Sequence, residues 1–200
     1  MGKRITKLSA LVIVVIFVAM FSFSTLTASA AQVGNISIQE KEILAEITLS
    51  LMSNKKIIDL NEVTYQIAAS KIMRDRIKDT EFDLPDHYEE ELYQDCLNKA
   101  SDGDPELATY LEKWNLTHED IADTLFYVRL NGEIKYRYAS LVAPKITSEN
   151  PGLTDATLLL DKFNEHVKEL VSHMLTAHYD RQSVIRISEY AAQQGIEIEK

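Results

Sequence analysis

A single cysteine, Cys96, rules out any intramolecular disulfide, so the chain is held together by packing alone. Glycine is scarce as well, and six in the whole chain leave little material for a phosphate-cradling loop. Positive charge is the third shortage: 21 Lys and Arg face 31 Asp and Glu, a net charge of −10. Lys3, Arg4 and Lys7 all fall within the first thirty residues, which hold no acidic residue, so the remainder is three units more negative, at −13. Such a surface cannot neutralise phosphates, which excludes nucleic-acid binding and disfavours an anionic membrane as partner. The excess acid reads as a solvated surface that keeps the protein in solution.

Only one long apolar run is present, Leu8 to Phe23, between a cationic start and the small-residue ending "TLTASAA". Residues 1–30 therefore read as a secretory signal peptide, cut after Ala30 or Ala31. An uncleaved anchor is the alternative, though the run is shorter than the ~20 residues a spanning helix needs. No cysteine follows it to carry a lipid, so the expected product is released or retained in the cell envelope, with no stable membrane span. Residues 31–200 match one domain in size.

That domain reads as all-α, an irregular assembly of six to seven helices. Ser37 with Glu40 predicts the first start, to about Ser53, with Ile43, Leu44, Ile47 and Leu51 at helical spacing. Asp59 with Glu62 predicts the second, to about Asp79. Pro85 suits the first turn of a third helix ending near Ala100, and Pro105 the first turn of a short fourth, capped by Asp104. At "WNLTHEDI" the chain stops and restarts. Asn115 suits the left-handed conformation that ends a helix, Thr117 and Asp120 form a capping box, and Leu116 with Ile121 make a hydrophobic staple. The fifth helix is expected from His118 to about Val142 with a bend near Gly132, although Asn131-Gly132 is also a hairpin signal. "APKITSENPGLTD", Ala143 to Asp155, reads as a loop, after which Leu153 and Thr154 repeat the staple and cap. A sixth helix carries the stripe Leu159, Phe163, Val167, Leu170 and Met174. The tail predicts a helix over Gln182 to Gln194 and a short strand in "GIEIEK".

Catalytic chemistry finds little to stand on. His166 and His173 share a helix, but seven residues place them about 10.5 Å apart along its axis, too far for one metal ion, and a solvated face is the simpler reading. His87 and His118 sit in first turns and His178 in the tail, none with an evident partner. No HExxH or GxSxG occurs, and Cys96 follows Tyr88 and Leu92 at four-residue steps as a buried thiol with no cationic neighbour in sequence. "SDGDPE" lacks the alternating ligands of a calcium loop. Neither an enzyme nor a bound cofactor or metal is expected.

What remains is aromatic. Tyr110, Trp114, Phe126, Tyr127, Tyr136 and Tyr138 cluster in sequence around the corner and the fifth helix. They pack as core, or some of them line a groove for apolar peptide segments. The order of parts "NISIQEKE", "ASKIMRDRIKD", "FDLPDHYEEELYQ", "YLEKWNLTHEDIADTL" and "EIKYRYASLV" resembles the N-terminal chaperone module of SurA- and PrsA-type extracytoplasmic folding factors. The resemblance spans most of Asn35 to Val142. It implies an exported holdase whose clients are unfolded or partly folded secreted proteins. Isomerase-bearing relatives insert a parvulin domain between the fifth helix and the returning segment, where this chain has only Ala143 to Asp155. No isomerase activity is therefore expected. The competing reading is a dedicated interaction module that binds one folded partner in the envelope.

Overall fold

The computed structural model describes residues 29–102, 105–152, 155–172 and 177–199. The cationic start and apolar run of the expected signal peptide lie outside the described residues. Both expected cleavage bonds fall inside strand β1, Ser29–Val33, where Ala30, Ala31 and Val33 are buried. The Ala30 carbonyl accepts the Asp180 N–H at 2.9 Å.

Strand β1 turns through Gly34 and Asn35 into β2, Ile36–Gln39, pairing antiparallel with Val33 opposite Ile36. Gly34 supplies the positive φ, 60°, that a two-residue hairpin turn needs at its first position. This hairpin corrects the expected helix start at Ser37. The box lies two residues later, with Gln39 as N-cap and the Glu42 carboxylate accepting the Gln39 N–H at 2.7 Å. Helix α1 follows, Glu40–Met52.

Strand β3, Ile57–Asp59, leads into α2, Leu60–Ile77, capped by Asp59, whose carboxylate accepts from the Asn61 and Glu62 N–H groups. Helix α3, Tyr88–Ser101, begins beyond Pro85, whose carbonyl accepts the Tyr88 N–H at 3.1 Å, so the proline precedes the first turn expected to hold it. Helix α4 is Pro105–Trp114, and its expected cap Asp104 lies outside the described residues. The corner forms as its residues dictate. Asn115 takes φ 50°, Thr117 and Asp120 close the box, and Leu116 and Ile121 are buried in one cluster.

Helix α5 runs from His118 to Glu149, about 48 Å at 1.5 Å per residue. It passes Gly132 without forming a hairpin and continues through Pro144, so most of the expected Ala143–Asp155 loop is helical. An internal proline costs roughly 3 kcal/mol. Pro144 is exposed, and the buried Val142 and Ile146 on either side secure the helix across it. The connection shrinks to Asn150–Asp155, within which the expected staple and cap, Leu153 and Thr154, lie outside the described residues. Asp155 does cap α6, Ala156–Ser172, its carboxylate accepting the Thr157 N–H at 2.7 Å. Of the expected stripe on α6, Phe163 is buried and Leu159, Val167 and Leu170 are partly buried, while Met174 lies outside the described residues. Strand β4, Ala177–Tyr179, helix α7, Arg181–Gln193, and strand β5, Glu197–Glu199, complete the chain.

Among the described residues the protein is thus mostly helical, with two small sheets. β1 lies between β2 and β4 in an antiparallel sheet, and β3 pairs in parallel with β5. The first sheet ties the N-terminal hairpin to β4, and the second ties β3, at the start of α2, to β5. One core cluster joins the sheet residues to α1, the first half of α2, and α7, around Ile43, Ile47, Leu60 and Ile187. A second joins the end of α2 to α3, α5 and α6, around Ile77, Cys96, Ile121 and Ile134. Trp114 and Tyr190 pack against both.

Asp180 caps α7 by accepting the Ser183 N–H at 2.7 Å, a bond that holds its carboxyl below the ordinary aspartate value of 3.8. A depressed carboxylate contributes stability that is fully present above 3.8 and is lost as the pH falls through the lower folded-state value. Asp180→Ala is therefore expected to melt below the wild type at pH 7. The gap should close by pH 2 in melts followed by circular dichroism, and a gap of constant size would show that the charge on the cap is irrelevant.

Candidate functional site

Among the described side chains, the aromatics singled out from sequence do not form one cluster, although Phe126 and Tyr127 touch. Tyr138 is buried in the second cluster, its hydroxyl 2.9 Å from His166 Nε2 with the two rings stacked. His166 is therefore partnered, in place of the solvated face expected of it, while His173 lies outside the described residues. Trp114 fills the junction of the two clusters, with the Lys113 ammonium 4.5 Å from its ring centroid and its buried indole N–H without a partner among the described residues. The side chain of Tyr110 lies outside the described residues. At this corner Leu116 and Ile121 are buried and Trp114 is partly buried.

Phe126 and Tyr127 stand with Tyr93 on the side of α5 that faces α1 and α3. The Tyr93–Phe126 and Phe126–Tyr127 ring centroids are 5.5 and 5.2 Å apart in edge-to-face contact. Burial, aided by the nearby Asp123 carboxylate, pushes the Tyr93 phenol up to about 12, and burial raises Tyr127 as well. Both stay protonated at neutral pH and serve as packing and hydrogen-bonding groups. Phe126 and Tyr127 line a cleft of about 350 Å³ whose other walls carry Lys41, Glu42, Lys71 and Arg74. Much of that charge is already paired, as in the 2.7 Å bridge from Lys71 to Glu42.

Tyr136 differs from all of these. It is 71% exposed, the most exposed of the large apolar side chains among the described residues. It lines one wall of a groove of about 400 Å³ between α5 and α6. On α5 the groove presents Gly132, Tyr136, Ala139, Ala143 and Ile146, recurring at steps of three and four, so one face of the helix supplies the wall. On α6 it presents Ala156, Leu159, Leu160 and Phe163, with Leu160 54% exposed. The small residues let another backbone approach, and a methyl group added at Gly132 would meet no atom within 4 Å. The α6 wall was missed from sequence because Leu160 falls beside the buried stripe, not on it.

Lys135 lies at one end of this groove, its ammonium 5.9 Å from the Phe163 ring centroid, and borders a second, larger cleft of about 740 Å³. Helix α2 contributes Ile67, Ala69, Ser70 and Met73 to that cleft, and α6 contributes Val167 and Val171. Ser70 donates to Asn131 Oδ1 at 2.6 Å, linking α2 to α5 at the cleft wall. Glu46 of α1 enters from the side, half-buried, its carboxyl raised by burial and only partly relieved by Lys55.

Redox and metal chemistry have less to build on. The Cys96 thiol is fully buried and receives the Arg129 guanidinium at 3.7 Å, a cationic neighbour supplied by α5 that the local sequence does not reveal. The same guanidinium is bound to Asp95, which it holds below the ordinary aspartate range with help from Lys99. Among the described residues no three His, Cys, Asp or Glu side chains are grouped to hold a metal ion, and no helix is long and apolar enough to cross a membrane. The chain matches no protein-family model, no curated protein and no solved structure.

Proposed function

We propose that the chain is an exported polypeptide-binding module of the SurA and PrsA chaperone type, which holds unfolded segments of secreted proteins in the α5–α6 groove. The observation that carries this reading is the groove itself: an apolar channel, open to solvent, flanked by exposed Tyr136 and Leu160 on a strongly acidic chain. Soluble monomers ordinarily cover such surface, and a contiguous exposed patch marks a binding site. An aromatic ring on one wall, aliphatic chains on the other and small residues between them suit extended segments of loosely defined sequence. The short Asn150–Asp155 connection leaves no room between α5 and α6 for an inserted catalytic domain, so the activity proposed is holding without isomerisation.

The test is light scattering of a chemically denatured model protein on dilution into buffer, with and without the chain at equimolar ratio. Suppressed scattering is the expected result. No suppression, together with a single folded protein co-purifying from the envelope, would replace this reading with the dedicated interaction module.

A further inference from the structure

The larger cleft has a half-buried carboxylate in its wall, which the groove lacks. Ile67, Ala69 and Met73 form a buried apolar floor, Val167 and Val171 add a partly buried wall, and the Glu46 carboxylate stands half-buried beside them. Among the described residues no lysine, arginine or histidine forms an ion pair with Glu46, and Lys55 acts on it only from a distance. Glu46 also borders the smaller cleft with Lys41 and Lys71, whose contacts are to other groups, Lys71 to Glu42 at 2.7 Å and Lys41 over the Tyr127 ring at 5.9 Å. The direction of the Glu46 shift agrees with this geometry, because desolvation of the carboxylate is not offset by a partner.

The remaining charged side chains of the cleft, Glu62, Lys135 and Lys168, are exposed and of both signs. Water screens them, so they add little selectivity. The interior charge decides what the cleft prefers. Lysine and arginine combine an aliphatic stem that lies along apolar surface with a cationic head that seeks a carboxylate.

We propose that this cleft receives a lysine or arginine side chain of the bound polypeptide, its stem on Ile67, Met73, Val167 and Val171 and its head at Glu46. The proposal rests on the polypeptide-binding reading and refines it. The clients are segments in which a basic residue adjoins an apolar stretch, the apolar part lying in the α5–α6 groove and the basic side chain reaching past Lys135 into the cleft. The chain's net charge of −10 works in the same direction by favouring cationic partners over a second copy of itself.

The experiment uses the full chain and fluorescein-labelled peptides of alternating leucine and alanine that differ only in a central lysine, norleucine or glutamate, with binding read by fluorescence anisotropy. The lysine peptide is expected to bind roughly fivefold or more tightly than the norleucine peptide. Glu46→Gln, of the same size, should bring the lysine peptide down to the norleucine value and leave the norleucine peptide unchanged. Equal binding of these two peptides to the wild type, an undiminished lysine preference in Glu46→Gln, or tightest binding of the glutamate peptide would each overturn the cleft assignment while leaving the groove in place. Failure of all three peptides to bind would remove the groove reading and this one with it.

Discussion

Leu160→Asp is expected to abolish the suppression of aggregation and to weaken binding of an apolar peptide at least tenfold, in a protein that remains folded. Leu160 projects from α6 into the groove opposite Tyr136 and is 54% exposed, so its contribution to the fold is small. Substitutions at such surface positions ordinarily change stability by about 0.5 kcal/mol or less. A carboxylate there acts instead on the guest. It removes apolar contact worth about 25 cal/mol per Å² and forces a charge to be desolvated against an aliphatic segment. Leu158→Asp is the control, since Leu158 is 52% exposed on the same helix but does not line the groove. The Leu158 variant should hold clients as the wild type does. Equal loss in the two variants would show that general surface hydrophobicity, and not the groove, binds the client.

Ile187→Ala carries the largest expected effect on stability, a loss of about 3 kcal/mol. Ile187 is fully buried on α7 in the cluster that also contains Ala30, Val33, Ile43 and Ile58. Shortening it leaves a cavity where the C-terminal helix meets the N-terminal hairpin. For a chain of this size the loss corresponds to a fall of roughly 6–12 °C in Tm, measured by thermal unfolding. A change of a degree or two would mean that α7 docks loosely on a core that stands without it. A single cooperative transition shifted as a whole would place both ends of the chain in one folding unit.

What could be read from sequence divides along a physical line. The caps at Asp59 and at Thr117 with Asp120, and the left-handed Asn115, depend on groups within a few residues of one another, so the local sequence specifies them. The β1–β2 hairpin depends on more. Its turn signal was present in Gly34-Asn35, but Ile36–Gln39 becomes strand because β1 also pairs with β4, nearly 150 residues further on. With that partner out of view, Ser37 looked like a cap. Pro144 shows the same override, since burial of Val142 and Ile146 against distant helices outweighs a local signal to stop. The site was half legible. Tyr136 and Tyr138 lie about 200° apart around a helix, so periodicity alone allows only one of them to face a groove, and only the folding back of α6 decides which. Leu160 and Glu46 reach their clefts through tertiary packing and carried no local signal.

Gly132 gives the groove a further meaning. In a helix interior, glycine costs about 1 kcal/mol relative to alanine, and the open space around this one shows that packing does not require it. Alanine would fit and would steady the longest helix of the protein. The methyl it adds would stand in the channel proposed to receive a guest backbone. In a marginally stable fold, about 1 kcal/mol of rigidity is forgone at the one turn of α5 where both the groove and the cleft open. If the groove holds polypeptide as proposed, a substitution that stiffens α5 at this turn would stabilise the helix and narrow the channel together.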